Sequence, residues 1–244
     1  MNTQSIMAKN LLDLSIGILL PSLKRWQEMF KYFTNIGYLE SKLSVNHTSL
    51  LKKYIKNRSK KPKTTLAGNL NSSFQLKDTD NKFFNKVIKP NINEHIHEFG
   101  SCTPSILTKD CKFVLKDLWV NFQKKYEFNP IHNHDGAYSF VIWIQIPSSF
   151  KEEIKLPFIK NSNSKCPNTF QFIYTNSLSN IVTQSYHLDS SYEGTMLFFP
   201  AKLDHLVYPF YLSNKYRISI SGNVSLDPEQ LLPAGAVPYP EQLL

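Results

Sequence analysis

The sequence predicts a mainly β, α+β protein: an antiparallel sandwich or barrel with a helical layer on its N-terminal side. Three observations carry this. Strand-like segments follow one another at 112–122, 137–146, 169–174, 194–199, 205–212 and 216–226 with no helical periodicity between them, the pattern of antiparallel β folds and not of doubly wound sheets. Turn-forming clusters separate the segments, at Asp135–Gly136, Asn161–Ser164, Ser190–Ser191 and Ser213–Asn214. Before residue 100, apolar residues recur instead at three- and four-residue spacing.

Taken in order, residues 1–60 read as mostly helical, with Leu23, Trp26, Met29, Phe30 and Phe33 forming one apolar face behind Pro21. Residues 62–78, around Gly68, read as loop plus a short strand. Asp78 or Asp80 is placed to cap a helix running to about Phe99, with Phe83, Phe84, Val87, Ile88 and Ile92 spaced for burial. Pro90 interrupts that pattern and is expected to kink or end the helix. The β segments follow, and the tail repeats Pro228-Glu-Gln-Leu-Leu232 as Pro240-Glu-Gln-Leu-Leu244, an extended arm. These divisions give an N-terminal helical and linker region over 1–65, a core domain over 66–226 and a C-terminal arm over 227–244.

Composition bounds the function. At 244 residues, 41% apolar and 19% charged, the chain buries a real core and is neither disordered nor fibrous. No stretch approaches 18 consecutive apolar residues, so no membrane span is expected. The apolar run Leu11–Leu20 contains Asp13 and Ser15 and lacks a small-residue cleavage site, which argues against a signal peptide. Cys102, Cys111 and Cys166 are too few and too scattered for a disulfide framework or a cysteine zinc site, and a reducing, cytoplasmic setting is expected. The net charge of +9 is concentrated at 52–63, where Lys52, Lys53, Lys56, Arg58, Lys60, Lys61 and Lys63 occur without an acid. Lysines outnumber arginines 25 to 3 and only Tyr54 is interleaved, so a solvated helix end is favoured over a nucleic-acid surface.

The chemistry concentrates in histidines. Asn129-Pro-Ile-His132-Asn-His134-Asp135-Gly136 precedes the strand at 137–146, and in extended chain residues two apart point to the same side. His205 opens a later strand. A close histidine pair and a distant third, all at strand ends, is how a β fold gathers metal ligands, and neutral imidazoles suit iron, zinc or copper. His95 and His97 share the same spacing but fall in the expected helix, where it separates side chains, and His187 lies near Asp189 without a partner pattern; these are read as structural.

One of the three arginines, Arg217, lies in the strand Tyr216-Arg-Ile-Ser-Ile-Ser221, twelve residues after His205. Alternation puts Arg217, Ser219 and Ser221 on one face. An arginine facing a β interior needs an anion. Either a carboxylate-bearing ligand, gripped in the two-pronged way ammonium cannot achieve, or a salt bridge to an acid such as Asp204 or Glu193 satisfies it.

Together, Trp119-Val-Asn-Phe-Gln-Lys-Lys-Tyr-Glu-Phe-Asn-Pro-Ile-His-Asn-His-Asp-Gly136, Tyr192-Glu-Gly-Thr-Met-Leu-Phe-Phe-Pro200, His205-Leu-Val-Tyr-Pro209 and Arg217-Ile-Ser-Ile-Ser-Gly-Asn223 resemble the iron(II)/2-oxoglutarate-dependent dioxygenases. More narrowly, they are similar to oxygenases of that superfamily from bacteria and marine tailed phages, over about residues 66–226. The resemblance implies a double-stranded β-helix (jelly roll, cupin-like) core, and the cytoplasm of a bacterial or phage-infected cell. It implies iron(II), 2-oxoglutarate and dioxygen, and hydroxylation of an unidentified substrate as 2-oxoglutarate is decarboxylated to succinate. Peptidyl, nucleotide and small-metabolite substrates are all open.

By the same resemblance His132, His134 and His205 are the metal ligands and Arg217 pairs with the distal carboxylate of 2-oxoglutarate, with Ser219 beside it. The position of His134 is normally Asp or Glu. Strand parity favours His134, whereas a bulge would bring Asp135 to the metal; Asp135 is otherwise placed to orient a ligand imidazole. The rival readings are a cupin-like metal-binding accessory or structural protein, such as a phage component, without turnover, and a zinc or manganese cupin isomerase or hydrolase.

Overall fold

Alternation of inward and outward residues on long central strands organises the molecule. The structure, a computed structural model, describes residues 36–63, 68–70, 72–100 and 111–227. The expected apolar face at 23–33, Cys102 and the repeated tail lie outside the described residues. The chain runs through β1 (Leu39–Lys42), α1 (Val45–Lys56), β2 (Ser73–Gln75), a π-helical turn (Phe84–Ile88), α2 (Lys89–Phe99), β3 (Phe113–Gln123), β4 (Asn129–His132) and β5 (Tyr138–Gln145). It continues through α3 (Phe150–Glu153), α4 (Pro157–Lys160), β6 (Thr169–Thr175), β7 (Ile181–His187), β8 (Thr195–Pro200), β9 (Asp204–Val207) and β10 (Arg217–Leu226).

The strands form two antiparallel sheets, one ordered β1-β8-β5-β10-β3-β2 and the other β4-β9-β6-β7. From β3 to β10 the chain passes back and forth between them, which is the winding of a jelly roll. Strands β5 and β8 of the large sheet feed two cores. On β5 and β8, Ile142, Met196 and Phe198 pack with Phe83, Val87, Ile88 and Ile92 from the helical layer. Their neighbours Val141, Trp143, Leu197 and Phe199 turn the other way and pack with Phe170, Phe172 and Tyr186 of the small sheet. Burial of each such side chain stabilises the fold by about 1.5–3 kcal/mol before entropy is counted. A strand buried on both faces reads as an unbroken apolar run, as residues 140–144 of β5 do.

The helix expected from Asp78 forms. The Asp78 carboxylate accepts the Phe83 and Phe84 amides at 3.1 and 2.7 Å. Pro90 does not end it. The preceding turn widens to π geometry, with the Lys89 amide bonding the Phe84 carbonyl, and Pro90 falls near the start of α2, where its missing donor costs little. The expected strand at 205–212 stops at Val207. Beyond it the Tyr208 carbonyl accepts from Arg217, and the Tyr211 and Leu212 amides are taken by the Glu153 carboxylate at 3.0–3.1 Å. The basic run forms the exposed end of α1 and the segment after it, apart from Lys63, which pairs with Asp117 at 3.0 Å.

Candidate metal centre and cofactor cavity

Antiparallel pairing of β4 with β9 sets His132 directly opposite His205. Their ring centroids are 4.2 Å apart, and each lies 5.1 Å from that of His134, just beyond the end of β4. One nitrogen from each of the three lies within 4.8 Å of the others, a group able to hold a metal ion. The second nitrogens support this use. His132 Nδ1 is 2.7 Å from the Pro130 carbonyl and His205 Nδ1 is 2.9 Å from the Leu203 carbonyl. Nδ1–H donation there leaves Nε2 as a free lone pair on each ring. His134 is steadied by the Trp119 ring, 5.7 Å away, and by its own amide bond to the Ala201 carbonyl.

Burial pushes the His205 imidazole down to about 3 and the His134 imidazole down to about 4, the neighbouring His132 adding to both; burial lowers His132 as well. At neutral pH all three rings are uncharged and available as ligands. The donors therefore fit a divalent, nitrogen-seeking ion.

Asp135 is not part of this group. Its side chain is 85% exposed and accepts from Lys202 Nζ at 3.1 Å, and the imidazoles of His132 and His205 are oriented by backbone carbonyls instead. The cause is local. Gly136 takes φ +108°, and a Cβ there would meet the Val224 carbonyl at 2.6 Å, so the chain swings into β5 with Asp135 on the outside of the bend. His95 is buried against the Gly37 carbonyl and His187 stacks on Phe150, both in structural settings.

The triad lies on a cavity between the sheets. The floor is a ladder of cross-strand pairs between β3 and β10: Trp119 opposite Ser221, Asn121 opposite Ser219, and Gln123 opposite Arg217. Arg217 is only 2% exposed. Its Nε and Nη2 donate to Gln123 Oε1 at 3.1 and 2.8 Å, Nη1 to Asn168 Oδ1 at 2.9 Å, and Nη2 to the Tyr208 carbonyl at 2.8 Å. Neither acid weighed as its salt-bridge partner reaches it: Asp204 accepts from Asn133, and Glu193 from the Ile146 amide. Among the described residues Arg217 has no ion pair at all. Burial pulls it down to about 9, partly offset by the charge of Glu153. Two further buried atoms on this cavity, Trp119 Nε1 and Asn129 Oδ1, lack hydrogen-bond partners.

Sequence reasoning did not single out Gln123, Asn121, Asn168 or Trp119. A signal for three of them existed: Trp119, Asn121 and Gln123 alternate with Val120 and Phe122, the parity argument applied to Arg217, Ser219 and Ser221.

Residues 117–223 match a protein-family model described as "Putative 2OG-Fe(II) oxygenase". No curated protein matches the chain. Among solved structures, an oxidoreductase of the 2OG-Fe(II) oxygenase family from Burkholderia pseudomallei is 10% identical, with 78% of this chain and 85% of that one covered at a TM-score of 0.47. A prolyl-4-hydroxylase from Pseudomonas putida is 9% identical, covering 77% and 91% at a TM-score of 0.46. A Trichoplax adhaerens prolyl hydroxylase, solved with a hypoxia inducible factor peptide, is 10% identical, covering 91% and 99% at a TM-score of 0.45.

Proposed function

We propose that this chain, whose residues 117–223 match the 2OG-Fe(II) oxygenases, is an iron(II)/2-oxoglutarate-dependent dioxygenase that hydroxylates a substrate. The family's cofactors are iron(II), 2-oxoglutarate and dioxygen. The observation that carries the reading is the joint lining of one cavity by three neutral imidazoles and a buried guanidinium that has no ion pair among the described residues. His132, His134 and His205 would hold the ion, and Arg217, with Ser219 beside it, would take the distal carboxylate of 2-oxoglutarate. Iron(II) held there supplies the activation of dioxygen that couples decarboxylation of 2-oxoglutarate to oxidation of a substrate C–H bond.

The chain's own residues do the rest. Trp119, next to His134, and Gln123, opposite Arg217, are four residues apart on β3, about 13 Å at strand rise. A five-carbon dicarboxylate would lie along this ladder. Ser219, midway, offers a hydroxyl to it. Trp143, Phe170 and Phe199 line the same cavity with hydrocarbon, which limits water around the reacting groups. Trp119 Nε1 and Asn129 Oδ1 remain as a donor and an acceptor for bound molecules.

The test is succinate formation from 2-oxoglutarate with ferrous iron and ascorbate, beside calorimetric binding of 2-oxoglutarate. Substrate-independent succinate is expected from the natural chain, and none from His205→Ala. Arg217→Ala should raise the 2-oxoglutarate requirement by about 30-fold or more while metal affinity changes little. No succinate together with no 2-oxoglutarate binding would overturn the reading.

A further inference from the structure

A buried guanidinium needs acceptors, and the kind of acceptor decides whether it is still a cation to an incoming ligand. A carboxylate discharges it; an amide oxygen satisfies its N–H groups and leaves the charge standing. Two amides flank Arg217, and each is locked with its oxygen inward. Gln123 Nε2 donates to the Glu127 carbonyl, which turns Oε1 to the guanidinium. Asn168 Nδ2 donates to the Ser148 and Leu188 carbonyls at 3.1 and 2.8 Å, which turns Oδ1 to Nη1. These partners fix the identity of the amide oxygens, since the reverse orientation sets NH2 against N–H at one end and oxygen against carbonyl at the other. The Glu153 charge reaches Arg217 only at a distance and offsets its burial in part, because the Glu153 carboxylate accepts the Tyr211 and Leu212 amides and not the guanidinium.

We propose that Gln123 is a specificity-determining residue: it meets Arg217 with a neutral oxygen and so leaves the charge available to the distal carboxylate of a dicarboxylic 2-oxo acid. This rests on the role given to Arg217 above. Among the described residues none lining the cavity is acidic, so the bound ligand itself brings the counter-charge there. A Glu at position 123 would stand opposite Arg217 in the β3–β10 register, form an internal bidentate pair and compete with that carboxylate. The choice between dicarboxylate and monocarboxylate thus depends on an uncharged side chain opposite the arginine as much as on the arginine.

The test compares Gln123→Glu and Gln123→Met with the natural chain by anaerobic calorimetry on Mn(II)-loaded protein, alongside thermal melting. The probes are 2-oxoglutarate and 2-oxopentanoate, the same carbon chain without the distal carboxylate. The natural chain should prefer 2-oxoglutarate by about 30-fold or more. In Gln123→Glu that preference should collapse while Mn(II) affinity holds, the buried cation gaining a charged partner as the bond to the Glu127 carbonyl is lost. In Gln123→Met, which orphans two guanidinium N–H groups without adding charge, Tm should fall while the preference survives. A merely structural Gln123 would make preference follow Tm in both variants, and that result overturns the inference. Undiminished preference in a folded Gln123→Glu overturns it also. Equal binding of the two acids by the natural chain would instead remove the role of Arg217, and the inference with it. Should Gln123→Glu not fold, loss of preference in Gln123→Met would count against the proposal and its survival in favour.

Discussion

His132 and His205 face each other across the antiparallel pair β4–β9, with ring centroids 4.2 Å apart, though 73 positions separate them in the chain. Neither ring can leave without opening the group that His134 completes. In His205→Ala we expect Mn(II) affinity to fall by about 100-fold or more, since loss even of a residue that supports a ligand costs 10–100-fold. Calorimetry on metal-stripped protein measures it. An unchanged affinity would place the ion elsewhere.

Asp135 and His134 are adjacent in sequence and opposite in setting, the one in solvent with Lys202 and the other packed on Trp119. Asp135→Asn should leave metal affinity within about twofold, as expected for an exposed pair, whereas His134→Ala should reproduce the loss in His205→Ala. The reverse ranking would assign the third ligand to the carboxylate.

Acid should loosen the metal-free protein. His134 and His205 hold their protons only near pH 4 and pH 3 when folded, because burial disfavours their charged forms, whereas in the unfolded chain they titrate near the ordinary value of about 6.5. Above about pH 6.5 both states carry them neutral and they add no pH dependence. Below it the unfolded chain binds protons that the folded chain refuses, so stability drops as pH falls toward the folded values. Tm of the metal-free chain should therefore decline between pH 6.5 and about pH 4.5, and decline less in His205→Asn. Identical slopes would mean that His205 titrates normally.

Glu153 ties α3 to the segment after β9. It is fully buried, its carboxylate accepts the Tyr211 and Leu212 amides, and the nearby Tyr208 carbonyl accepts from Arg217. Glu153→Ala leaves two buried amides without acceptors, and we expect a loss of about 2–3 kcal/mol in urea unfolding. 2-Oxoglutarate binding should weaken with it as the Tyr208 support for Arg217 loosens. Stability within about 0.5 kcal/mol of the natural chain would show that water replaces the carboxylate.

Much of this was legible in the chain. Residues 140–144 are apolar throughout because both faces of β5 are buried there, and Thr169–Thr175 and Arg217–Leu226 carry strand residues between turn clusters. Strands β4 and β7 were harder to read. Asn129-Pro-Ile-His132 is short and contains a proline, and Ile181–His187 is a largely exposed edge strand with little apolar content to betray it. Local order thus shows wherever burial imposes a period on the residue types, and fades where a strand is held mainly by its neighbour's backbone.

The sequence by itself determined which residue types were on hand: a close histidine pair, a distant third, and a rare arginine on a polar strand face. Only the tertiary structure decided that Asp135 turns outward and His134 inward, because that depends on how tightly Gly136 passes the Val224 carbonyl. It also decided what meets Arg217. Gln123, Asn168 and the Tyr208 carbonyl come from three separate stretches of chain, and hydrogen bonds between such stretches leave no periodic trace in any one of them.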